Sequence, residues 1–445
     1  MPEIASPPAS TLTPAKTARQ RTDTFTSIWM IIAVAMALVT LVVKNRMPQP
    51  LWTIIHLVTL GVLSNGIFQW SWFFARSLAR LSADDPRARR HNTIRILIFN
   101  ACFLLLFVSM WLGWMVGTMI AATGIAAVAA WHGAEMLSVL RERLASRFVI
   151  VVRYYVCSAS FFVLAALLAS FVSATMFSPS IPEAMVAMRD RLTLAHALSG
   201  VAGWVGLTIG GTVITLGPTI LRTRMSPDAV SGGVRVLLPW CLSLLLAIAG
   251  ALLGVMPLVG AGILAVGTCA IVGIVYSYAK VLRNKGPREY SAWSFLLGLL
   301  WISVGVCALG VASLFVSTPS QLRALTLMWL PIIGIAGFAQ LFQGALSYLM
   351  PVVIGGGPSV VRIGIAIIDW QYSLRLGLRN SALILELFLF FTSDSPSVHV
   401  LRMAGWFLVI ATFVIDVVIY AKTGVTQARA RRARSETLSE SRQVQ

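Results

Sequence analysis

Apolar runs of about 20 residues, the length needed to cross a bilayer as helix, recur from one end of this 445-residue chain to the other. Composition agrees: 58% of residues are hydrophobic and 11% charged, where a soluble domain carries about 25% charged residues. These figures exclude a soluble enzyme. They also exclude a membrane-anchored one, because no polar stretch is long enough to fold as a separate domain.

The pattern predicts an all-α, polytopic membrane protein with about twelve transmembrane helices. The spans lie near 25–43, 51–75, 95–113, 116–138, 148–174, 192–220, 234–254, 257–280, 291–316, 325–350, 376–393 and 400–421. Residues 1–24, rich in Pro, Thr and Ala, read as a disordered tail rather than a cleaved signal. Residues 422–445 read as a basic tail that carries Arg429, Arg431, Arg432 and Arg434 and then becomes polar and unfolded. Attraction to anionic lipid is the plain reading of that arginine cluster.

Charge supplies topology. Thirty-five Lys and Arg against 16 Asp and Glu give +19, but the excess is concentrated in loops, which argues against a nucleic-acid partner. Positive groups follow the even-numbered spans: Arg76, Arg80, Arg87, Arg89 and Arg90; Arg141, Arg143 and Arg147; Arg222 and Arg224; Lys280, Arg283, Lys285 and Arg288. Lys44 and Arg46 dissent. The positive-inside rule then puts both termini in the cytoplasm of a multi-pass cell-membrane protein, with spans 2, 6 and 10 descending from outside to inside. The five cysteines fall inside or beside apolar runs and suggest neither a disulfide nor a zinc site.

Intramembrane polar residues need a reason. His56 lies about one and a half turns into span 2 and His196 about one turn into span 6, both in the outer third of the bilayer. His132 is near the inner end of span 4 beside Glu135, and His91 and His399 are in loops; hydrogen-bonded or solvated roles suffice for these three. His196 is followed by glycines. At about 100° per residue, His196, Gly203, Gly206, Gly210 and Gly217 share one face of roughly 80°, with Gly200 a little outside it. Such a face admits either another helix, as in small-xxx-small packing, or a planar cofactor whose iron the imidazole ligates.

Span 10 repeats the pattern. Gly337 and Gly344 have the spacing of Gly203 and Gly210, and Pro351 closes that helix as Pro218 closes span 6. Span 2 is a weaker copy, with His56, Gly61 and Gly66. Three related helices, four spans apart and pointing the same way, predict three arcs about a pseudo-threefold axis. Laying Gly337 on Gly203 puts Leu330 where His196 stands, so the third arc has no histidine.

These features resemble the subunit I superfamily of haem-copper oxidases, which has twelve spans, three four-helix arcs and histidine ligands in the outer half of the membrane. The segment around His196 is similar to that family's His-x-His-Ser-Gly-x-x-Gly-Trp haem-ligand helix. His56 to Trp72, Arg153 to Tyr155, His196 to Arg224 and Gln340 to Pro358 look closer still to a bacterial group of oxidase-like membrane proteins, often linked to multicopper oxidase or copper nitrite reductase domains. The resemblance implies a haem, or one copper ion, held by His56 and His196, with Gly203 and Gly210 beside the cofactor. It also implies an extracytoplasmic copper protein as partner. The departures count equally. Leu198 replaces the second histidine, the motif sits in span 6 where the oxidases carry it in span 10, and spans 7 to 11 hold no histidine. No copper centre for dioxygen reduction can be assembled from five histidines placed in this way.

Glu386 in span 11 and Asp416 in span 12 are buried carboxylates suited to relaying protons or pairing with a base. Arg153 snorkels at an interface. Gly355-Gly-Gly-Pro358 lacks the ending of a phosphate loop and reads as a tight cytoplasmic turn. Three functions compete: a haem-binding electron-transfer or gas-handling protein, a transporter or channel, and a cofactor-free partner of an extracytoplasmic copper protein. No catalytic residue is assigned.

Overall fold

The computed structural model describes residues 18–43, 46–82, 84–143, 149–177, 182–223, 227–284, 286–393 and 395–443. Lys44, Arg147, Arg224 and Lys285, counted above among the loop charges, lie outside them, as does most of the expected N-terminal tail. The described chain contains helices and no strand. In chain order they are α1 (Ala18–Val43), α2 (Pro50–Leu78), α3 (Arg87–Leu112), α4 (Met115–Glu142), α5 (Val149–Met176) and α6, which runs on from Glu183–Ala197 through Leu198–Gly206 to Leu207–Ile220. Then follow α7 (Pro227–Leu253), α8 (Met256–Ala270 continuing to Asn284), α9 (Tyr290–Ser313), α10 (Pro319–Ile354), α11 (Pro358–Ile368), α12 (Tyr372–Leu389) and α13 (Pro396–Gln443).

Among the described residues ten helices, α2 to α10 and α13, are long and apolar enough to cross a membrane. The protein is therefore an all-helical, multi-pass membrane protein. Of the two other expected spans, α12 carries Arg375, Arg379 and Glu386 within 18 residues, and α1 contains span 1.

Local chemistry sets many of the boundaries. Pro50 and Pro319 occupy first-turn positions, where a missing N–H costs nothing. Thr318 and Gln321 close a reciprocal capping box at the start of α10. Gly355, Gly356 and Gly357 all have positive φ (70°, 97° and 87°), a turn only glycine makes without strain. The expected turn is there, and a helix follows it at once: Pro358 opens α11, between expected spans 10 and 11. The C-terminal segment also departs from expectation. It continues α13 as helix to Gln443, because its Ala, Arg and Glu content favours helix and Arg431 and Arg434 bind the carbonyls of Ile354 and Gly356.

The contacts divide the chain into two units, Met1–Ile209 and Gly210–Gln445, with the boundary inside α6. The first unit is built around aromatic rings contributed by five helices. Phe68 of α2 meets Phe99 of α3, His132 of α4, Phe162 of α5 and Trp204 of α6 at ring separations of 5.0, 4.9, 6.3 and 5.4 Å. Trp204 stacks on Phe162 at 4.6 Å and donates to Ser64 Oγ at 2.9 Å, locking α6 to α2. The second unit uses small residues instead: Gly310 abuts the backbone of Leu264, and Gly298 and Gly344 abut those of Leu341 and Phe295. In lipid such close backbone approach replaces the hydrophobic drive available in water.

Three helices contain long π-helical stretches: Leu57–Ser64 in α2, Leu198–Gly206 in α6 and Ile332–Ala339 in α10. π-helix is rare and is usually confined to single turns. Laying Gly337 on Gly203 superposes the first residues of two stretches, Ile332 on Leu198. The repeat read from glycine spacing thus has a backbone counterpart in the same three helices.

Candidate metal centre

The structure brings His56 and His196 together. Their rings lie within 10° of parallel with centroids 6.1 Å apart. His56 is placed by α2, which starts at Pro50, and its Nδ1 donates to the carbonyl of Trp52 one turn back at 2.9 Å. The Trp52 ring stacks on the imidazole at 4.3 Å, fixing its rotation. His196 precedes the π stretch of α6, and its Nδ1 donates to the Ala165 carbonyl of α5 at 2.8 Å. A carbonyl only accepts, so each bond selects the Nδ1–H tautomer and leaves a lone pair on Nε2. Among the described residues neither Nε2 has a hydrogen-bond partner. An imidazole tied at one nitrogen to a backbone carbonyl with the other open is the usual arrangement of a metal-ligating histidine. The sequence indicated the two histidines; Trp52 and the Ala165 carbonyl, which orient them, carried no signal of their own.

The glycines next to His196 are helix-packing positions. A methyl group at Gly203 would strike the Phe161 side chain of α5, and one at Gly217 would strike the Tyr278 side chain, whose hydroxyl donates to Val213 O at 2.5 Å. At Gly200 a methyl group would only reach ordinary contact with Ala165, at 3.8 Å. Gly210 is buried. Of the two readings of the stripe, these contacts describe helix packing at Gly203 and Gly217.

No third imidazole joins the pair. His132 is fully buried near Ser71, His91 pairs with Glu135, and His399 is exposed. Among the described residues no cluster of three or more His, Cys, Asp or Glu side chains could hold a metal ion.

The polar residues of the second unit form a separate structure. Asp416 accepts from Arg375, Arg379 and, at 2.6 Å, the Tyr290 hydroxyl; Arg379 also donates to Gln343 at 3.0 Å. This joins α9, α10, α12 and α13. The pairing expected of Asp416 is present, but its partners escaped the sequence reading because Arg375 and Arg379 sit where a span was thought to begin. Glu386 lies one turn from the end of α12 and lines a cavity of about 380 Å³ with Trp406, Arg402 and Thr392. Outside the spans, the Arg87 guanidinium holds the Asp85 carboxyl below its usual range.

No family model matches this chain, and no curated protein does.

Proposed function

We propose that this protein is a membrane metalloprotein that carries electrons through a single metal centre held by His56 and His196. The observation that carries the reading is the pair itself: near-parallel imidazoles with centroids 6.1 Å apart, each with its Nδ1 anchored to a carbonyl. The two open Nε2 atoms are the groups that would hold the metal. Such a centre supplies one-electron chemistry, as haem iron or as copper. The chain's own part is to fix both tautomers, hold the rings parallel and keep them out of bulk water. Twelve spans in three arcs, cytoplasmic termini and an extracytoplasmic copper protein as electron partner complete the proposal.

Phe161 against Gly203 favours the second of the two metals, because the porphyrin edge expected on that face would meet a side chain. The test is purification of the wild type and of His56→Ala/His196→Ala from membranes, followed by absorption spectra and metal analysis. A Soret band in the wild type indicates haem; one copper per chain without a Soret band indicates a bare ion; either is lost in the double variant. A wild type with neither, or a double variant that keeps its full metal content, overturns the assignment.

A further inference from the structure

Four buried side-chain polar atoms without a hydrogen-bond partner lie on three packed helices of the first unit. They are Gln69 Oε1 and Trp72 Nε1 of α2, Arg95 Nε of α3 and His132 Nδ1 of α4. The Arg95 guanidinium lies 5.1 Å from the Trp72 ring, the Trp72 and His132 rings are 6.3 Å apart, and His132 Nε2 is 3.3 Å from Ser71 Oγ. Gln69 stands one turn before Trp72 on the same helix face. Arg95 and His132 have no exposed surface, and Trp72 has 1%. An unpaired polar group in such a setting is costly, so several on neighbouring side chains point to a common partner.

The chemistry of the four atoms selects that partner. Trp72 Nε1 and Arg95 Nε only donate, Gln69 Oε1 only accepts, and His132 Nδ1 does either. A metal ion finds no lone pair on the first two. An anion finds no unmatched charge to balance, because Arg95 is already paired with Glu135. Water, which both donates and accepts, suits the whole set. A polar route leads outward from it: Arg95 binds Glu135, and Glu135 accepts from Trp131 at 2.9 Å and from His91, 39% exposed, at 2.7 Å.

We propose that Gln69, Trp72, Arg95 and His132 enclose an internal water site that exchanges with bulk water past Glu135 and His91, at the end of α2 that bears Arg76. Water here links a fully buried imidazole to one face of the protein and is independent of any metal at His56 and His196. Hydroxyl radicals formed from bound water by millisecond X-ray radiolysis mark the side chains around it. The control is Trp301, 8% exposed, whose indole N–H is satisfied by Asn380. In the full-length protein, mixed rapidly into H2-18O before exposure, Trp72 is expected to be oxidised about ten-fold faster than Trp301 and to carry 18O. Oxidation of Trp72 at the rate of Trp301 overturns the water site. Fast oxidation that carries only 16O shows trapped water and overturns the exchange route.

Discussion

Asp416 has no exposed surface, and two guanidinium groups and a phenol converge on it. The two cations share one carboxylate, so removing that carboxylate leaves both in a low-dielectric interior with nothing to offset them. Asp416→Asn is expected to lower stability by about 3–5 kcal/mol, the usual cost of breaking a buried pair from one side. Tyr290→Phe, which removes the hydroxyl's bonds to Asp416, Gln343 and Arg379 and leaves both ion pairs in place, costs about 1–2 kcal/mol. Thermal unfolding in detergent checks both, and equal effects would contradict the charge argument. The network also shows what residue-level reading lacks. Asp416 was conspicuous as a carboxylate within an apolar run, whereas Arg375 and Arg379, at the start of span 11, had nothing in the sequence to tie them to it. His56 and His196 were legible because each is a lone imidazole in a hydrocarbon-length segment. The groups orienting them, a backbone carbonyl and a stacked tryptophan, are chemically unremarkable until the helices pack.

At the scale of the element, glycines that look alike in sequence divide into two kinds. Gly344 abuts the backbone of Phe295, whereas Gly66, though buried, has open space where a Cβ would go. Gly344→Ala is expected to cost about 1–3 kcal/mol, since a backbone must shift to admit the methyl group. Gly66→Ala should be neutral or stabilise by up to about 1 kcal/mol, because alanine loses less entropy in a helix. The same unfolding measurement separates them, and a destabilised Gly66→Ala would mean that its space is used. Helix existence was readable from apolar runs, and the relation among spans 2, 6 and 10 from glycine spacing. The π-helical stretches were not, because hydropathy does not register one extra residue per turn. Nor was α11, whose eleven residues are too few to stand out as a span.

For the molecule as a whole, alternation of charged loops gives an orientation that chemistry can check. Ser82→Cys, after α2, and Ser317→Cys, before α10, are both at exposed positions in connecting segments. A membrane-impermeant maleimide applied to intact cells is expected to label Ser317→Cys and to leave Ser82→Cys unlabelled until the membrane is opened. The reverse pattern would invert every span.

The last helix has a practical consequence. α13 is 48 residues long, which at 1.5 Å per residue is about 72 Å, against about 40–45 Å for a bilayer with its headgroups. Even set upright, it extends well past the lipid, and Arg431 and Arg434 brace it against the glycine turn after α10. A 48.2 kDa membrane protein is ordinarily too featureless inside its micelle for electron images to be aligned. A helix tied by Arg431 and Arg434 to the turn after α10 gives such images a feature to align on.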